Sequence, residues 1–201
     1  MDEKKDTVKK TFDITNIKKN SNIIYYYTLA WSLAFLVCVP LACIYSGEGL
    51  DIFRNFYYII ISPSNLITDY FNVGGLGSTM LNAALCGLFC NLMMHASRAR
   101  VDARILAGYF LVTGHCFYGL NFLNMWPTVL GVYVYCKATK RKFSNNLHTA
   151  MFSTALAPFV SDFLFRYTLG EQYVFGQLDM SFSGFVFALV FGLAADRKSV
   201  V

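Results

Sequence analysis

Residues 105–136 separate Arg104 from Lys137 without a single Asp, Glu, Lys or Arg, a run of 32 residues. As one helix it would extend about 48 Å, against a bilayer hydrocarbon core of roughly 30 Å. Gly114, His115, Gly119, Asn121, Asn124, Pro127 and Gly131 fall inside it, a poor composition for one smooth rod. Both flanks are basic: Arg98, Arg100 and Arg104 before it, Lys137, Lys140, Arg141 and Lys142 after it. Basic flanks favour the cytoplasmic side, so the run should enter and leave a membrane on one side, as a hairpin or re-entrant pair. Irregular backbone at membrane depth survives only where protein or a watery cavity satisfies its polar groups. The expected fold is therefore all-α, a polytopic integral membrane helical bundle with broken or re-entrant helices.

Composition agrees. The chain is 56% hydrophobic and 14% charged, where soluble domains carry about 25% charged residues. Mean hydropathy is +0.45. The alternative, a soluble helical domain with a rich core, fits poorly with several apolar stretches that reach or approach spanning length. The net charge of +5 does not point to nucleic acid, because the cations cluster at the edges of apolar segments. Cys38, Cys43, Cys86, Cys90, Cys116 and Cys136 lie in or beside apolar segments with no CxxC, and read as packing thiols rather than a disulfide or metal framework. No metal and no cofactor is expected.

Charge orders the rest. Residues 1–22 hold six lysines and read as a cytoplasmic tail; residues 23–195 read as the transmembrane domain. The first span is 23–45, and Glu48 and Asp51 then suit the outside. Residues 79–95 return inward, 147–167 cross outward interrupted by Pro158, and 181–195 begin another inward crossing, about five crossings in all. Residues 56–71, broken by Ser62, Pro63, Ser64, Asn65 and Asp69, fit a re-entrant or interfacial piece on the outer side. Residues 196–201 (DRKSVV) are what the library-adapter sequence GATCGGAAGAGCGTCGTG encodes. They read as a sequencing scar on a longer protein, with a genuine short basic terminus as the alternative.

The candidate solute or ion path is Asp69, Gly74, Gly75, Gly77, Asn82, His115, Asn121 and Asn124. Three glycines precede a helix expected to start near Ser78 or Thr79, whose free N–H groups attract anions. The competing reading is a glycine turn for close helix packing. Asn82 either lines a polar path or bonds a neighbouring helix; Asn121 and Asn124 more readily satisfy a turn than bind solute. Asp69 and His115 are candidate proton or cation sites; otherwise Asp69 caps a helix and His115 bonds a carbonyl. Trp126 reads as an interfacial anchor or the edge of a constriction. Asp162 and Arg166, four residues apart, form the expected intramembrane ion pair.

The strings 62–77 (SPSNLITDYFNVGGLG), 121–135 (NFLNMWPTVLGVYVY) and 154–162 (TALAPFVSD) resemble a family of bacterial polytopic membrane proteins, the domain of unknown function 1576. The resemblance spans roughly residues 50–195. It implies a membrane location and a protein about twice this length, and it supplies no activity. This chain has Gly119-Leu120-Asn121 where the family pattern often reads Gly-Lys-Asn, which removes a cation from that position.

No HExxH, GxSxG or nucleotide-binding loop occurs, so an enzyme is not expected. The leading expectation is a multi-pass cell-membrane (inner or plasma membrane) protein with its N-terminus in the cytoplasm. It would act as a transporter or channel-like permease, with the lipid bilayer and a small polar solute or cation as partners. Oligomerisation is left open. The alternatives are a non-transporting scaffold or assembly component, then an intramembrane enzyme.

Overall fold

A computed structural model describes residues 2–63 and 68–165, and among these residues every regular element is a helix, with no strand. The helices are α1 (Asp2–Ser46), α2 (Ile52–Ile61), α3 (Tyr70–Ala96), α4 (Ala103–His115), α5 (Met125–Ala138), α6 (Leu147–Ser153) and α7 (Ala157–Phe165). Two segments, Asn20–Ser46 and Tyr70–Ala96, are long and apolar enough to cross a membrane. That is fewer than the five crossings expected, and 181–195 lies outside the described residues.

The two long helices run antiparallel. Thr28 Oγ1 donates to Asn91 Oδ1 at 2.8 Å, Asn91 Nδ2 donates to Ser32 Oγ at 2.9 Å, and Gly77 N donates to Glu48 Oε1 at 3.0 Å. Rising residue numbers on α1 thus meet falling ones on α3. Gly87 permits the approach, since a Cβ there would stand 2.7 Å from Ser32 Oγ. Small residues at such crossings let backbones close together when apolar surface alone gives no drive. The basic tail is not a separate element: α1 runs unbroken from Asp2.

α3 is broken at Gly75 (φ 79°, ψ 179°). Tyr70 N donates to Phe117 O while Asn82 Nδ2 donates to Cys116 O, so residues 70 and 82 meet adjacent carbonyls. A straight helix would hold them about 18 Å apart. The chain therefore doubles back at Gly75: α2 and residues 70–74 form one short hairpin, and 76–96 return as a rod of about 31 Å. The helix expected to start near Ser78 or Thr79 starts earlier, and Thr79 Oγ1 donates back to Gly75 O instead of capping.

The uncharged run forms a second hairpin. Its two helices have 13 and 14 residues, about 20 Å each, too short to span a bilayer. α4 starts beside the end of α3, where Val101 N donates to Ser21 Oγ at 2.8 Å. α5 ends there too, with Tyr133, Cys136 and Lys137 sharing a cleft with Met93, Ala96 and Ser97. The residues that spoil helices are mostly gathered where the chain turns. Gly114 closes α4, Gly119 takes φ 120°, and Pro127 sits in the first turn of α5, where its missing N–H costs little.

α6 fits between α4 and α5. Met151 faces Gly108, and Ala150 packs with Val132 and Cys136. The interruption expected at Pro158 lies instead at the 3-10 turn Thr154–Leu156, because α7 begins at Ala157 and takes Pro158 into its first turn. The main core joins α3 to α6 through Cys86, Tyr109, Val112, Cys116, Leu120, Met125, Leu147 and Met151. None of the six cysteines forms a disulfide; Cys86, Cys90, Cys116 and Cys136 are buried.

Asp102 caps α4, accepting from Arg104 N at 3.0 Å and Ile105 N at 3.1 Å. Burial raises its pKa, but the Ile105 N–H and the Arg104 side chain outweigh this and hold the carboxyl below its usual value. The cap's stabilisation is present above the unfolded pKa of about 3.9 and is lost as pH falls through the lower folded value. Asp102→Ala is expected to cost about 1 kcal/mol in thermal or denaturant unfolding, the deficit vanishing in acid.

Candidate functional site

The two hairpins meet tip to tip. Residues 116–124 link α4 to α5 without regular helix, so their N–H and C=O groups need outside partners. Three asparagines, each with no solvent exposure, supply them. Asn82 Nδ2 donates to Cys116 O (3.0 Å) and Leu120 O (2.8 Å), while its Oδ1 accepts from Phe122 N (3.2 Å). Asn124 Nδ2 donates to Gly119 O (2.7 Å) and Ser161 Oγ (2.8 Å), and its Oδ1 accepts from Asn121 N (2.8 Å).

Asn121 ties the hairpins together. Its Oδ1 accepts from Leu123 N and Asn124 N, and its Nδ2 reaches Ile59 O and Tyr70 Oη, both at 3.2 Å. Ile59 and Tyr70 belong to the first hairpin. Phe71 stacks on Phe117 at 5.6 Å between centroids, and Phe117 also meets Phe35 of α1. The meeting point is thus sealed by rings as well as amides. Every amide proton and carbonyl of the three asparagines is engaged with this chain's own groups.

The other candidates do not gather with them. Asp69 is exposed and caps residues 70–74, accepting from Phe71 N (2.9 Å) and Asn72 Nδ2 (2.6 Å). His115 Nδ1 lies 2.8 Å from Leu111 O, to which it must donate. Gly74 lies against Ile59 of α2. Gly75 makes the reversal. Gly77 N, at the start of the returning rod, is met by the carboxylate of Glu48, which also lies 3.5 Å from Ser78 Oγ. The anion that this helix start attracts is therefore a side chain of the same molecule. Trp126 packs on Phe89 at 4.3 Å near the tip, away from either end of the long helices. Asp162 is half-buried on α7; Arg166, its expected partner, lies outside the described residues.

Sequence reasoning missed Glu48, Tyr70, Ser161 and a second polar cluster in which Thr28, Ser32, Asn91 and Tyr109 join α1, α3 and α4. Asn91 lies nine residues after Asn82, half a turn out of phase at about 100° per residue, so the two amides serve opposite faces of α3. A buried amide within an apolar span was the available signal for Asn91 as it was for Asn82.

A family model, Protein of unknown function (DUF1576), matches residues 49–196, most of the chain. The chain belongs to that family. The DUF1576 match takes in α2 to α7 and the three asparagines of the tip contact, and α1 lies ahead of it. Leu120 is fully buried in the main core. No curated protein and no solved structure matches the chain.

Proposed function

We propose that this DUF1576 protein is a multi-pass protein of the cell membrane and acts as a transporter or channel-like permease for a small polar solute. In this reading α1 and residues 76–96 cross the bilayer. The hairpin of α2 and residues 70–74 dips in from the acidic end, and the α4–α5 hairpin dips in from the basic end. The basic end, beside the lysine-rich start of α1, faces the cytoplasm. Large apolar side chains left in the open support a lipid setting: Val37 is 63% exposed, Leu41 62% and Ile44 81%. Soluble monomers rarely expose contiguous apolar surface on that scale.

One observation carries the transport reading: two hairpins too short to span meet end to end through irregular backbone. Uninterrupted rods satisfy their backbone without help, so broken helices at depth are kept where a path or binding place needs them. The tip contact around Asn121 would be the closed barrier of that path. The scaffold reading has its own support, since the three asparagines spend all their hydrogen bonds inside the chain and leave none for a solute.

Liposome flux separates the two. Vesicles holding the folded chain are expected to pass at least one of water, glycerol, urea or a monovalent cation faster than protein-free vesicles, read by light scattering and ion efflux. Rates equal to empty vesicles across the panel, with helicity intact by circular dichroism, would favour the scaffold.

A further inference from the structure

We propose that the cleft at the basic end binds a phosphate-bearing anion, the headgroup of an anionic phospholipid. The cleft encloses about 570 Å³ between the last turns of α3 and α5 and residues 141–144. That volume lies within the range of small-ligand sites, roughly 300–1,000 Å³. Lys137, Arg141 and Lys142 line it, and none has a carboxylate partner among the described residues, where the ion pairs are Arg54–Asp51 and Arg104–Asp102. Asp102 is also the sole acid in the sequence between Asp69 and Asp162, so the stretch of chain that builds the cleft is poor in acids.

The cleft also has an apolar lining. Met93, Tyr133 and Phe143 supply it beside the cations, the two rings meeting edge to face at 5.6 Å. Lys137 Nζ lies 5.7 Å from the Tyr133 ring centroid, which holds the ammonium at the rim. Arg141 offers a planar fork suited to two phosphate oxygens. A cationic rim over an apolar wall suits a headgroup with its glycerol and acyl chain better than a free ion, which would leave the wall unused. The ends of α3 and α5 point carbonyls and a partial negative charge toward this region, so affinity for an anion must come from the three side chains.

The proposal rests on the membrane reading, which is tested separately by whether the chain sediments with membranes and needs detergent for release. The lipid test is native mass spectrometry of the full chain in detergent, with phosphatidylglycerol, phosphatidylcholine or inorganic phosphate added at about 0.15 M salt. Each basic group near an anionic headgroup contributes about fivefold in affinity. The triple variant Lys137→Gln/Arg141→Gln/Lys142→Gln should then bind phosphatidylglycerol about 100-fold more weakly. The double variant Arg98→Gln/Arg100→Gln should change binding by less than about threefold, because neither residue lines the cleft. Should the triple variant lose its helicity, Arg141→Gln alone is expected to lose about fivefold. Equal binding of the two lipids, or equal losses in the triple and double variants, overturns the site. Displacement of phosphatidylglycerol by millimolar inorganic phosphate overturns the lipid assignment and leaves a free-anion site.

Discussion

Asn82→Ala is expected to destabilise the fold by about 3–5 kcal/mol, because one amide serves three backbone groups that have no water to turn to. Removing it orphans Cys116 O, Leu120 O and Phe122 N together. Each buried group left unmet costs about 1–3 kcal/mol, and partial relaxation of the tip keeps the total below a simple sum. Against a total stability of about 5–15 kcal/mol this is a large fraction. Asn82→Asp should be no better, since it keeps the acceptor toward Phe122 N but aims a carboxylate at two carbonyl oxygens. Fluorescence can follow the change locally, as Trp126 packs on Phe89 and Phe122 beside the tip. A loss under about 1 kcal/mol for Asn82→Ala would show that the tip carbonyls have other partners.

Gly75→Ala is expected to cost about 3 kcal/mol, from two separable causes. The backbone at φ 79°, ψ 179° lies in a region nearly confined to glycine, worth about 1–3 kcal/mol for any other residue. A Cβ there would also stand 2.5 Å from Glu48 Oε1, pushing the carboxylate off Gly77 N. Glu48→Ala alone should cost about 1 kcal/mol as a lost cap. The double variant Glu48→Ala/Gly75→Ala should be less unstable than the two single costs added, since the clash disappears with the carboxylate while the backbone strain stays. Strict additivity, measured in denaturant, would place the whole cost in the backbone.

The sequence read most clearly where length and charge acted together. Thirty-two uncharged residues between basic flanks cannot form one rod that fits a bilayer, and they fold as two short helices whose outer ends lie together. Gly114, Gly119, Asn121 and Asn124 marked the turn because each is a poor helix former or a side chain that can serve bare backbone. Local composition could not show that residues 70–74 are helical before the break. Glycine clusters look like a loop, and only packing of Gly74 on Ile59 shows otherwise. Nor could it pair Glu48 with Gly77, 29 residues apart, so an open helix start was expected where an internal carboxylate lies. Pro158 was legible as a disturbance but not its position, since proline is accepted in a first helical turn and the break moves ahead of it. Asp69 and His115 lacked partners in the local sequence; a cap and the carbonyl one turn earlier supplied them.

Everything functional proposed for the chain depends on the α4–α5 hairpin returning to the side it entered from. Thiol labelling in sealed, oriented vesicles tests this directly. Cysteines are placed singly at Arg100, Lys140 and Leu50, all exposed, with Cys38 and Cys43 replaced by alanine and the four buried thiols retained. A membrane-impermeant maleimide should label Arg100→Cys and Lys140→Cys from one side and Leu50→Cys only from the other. Labelling of Arg100→Cys and Lys140→Cys from opposite sides would contradict the account.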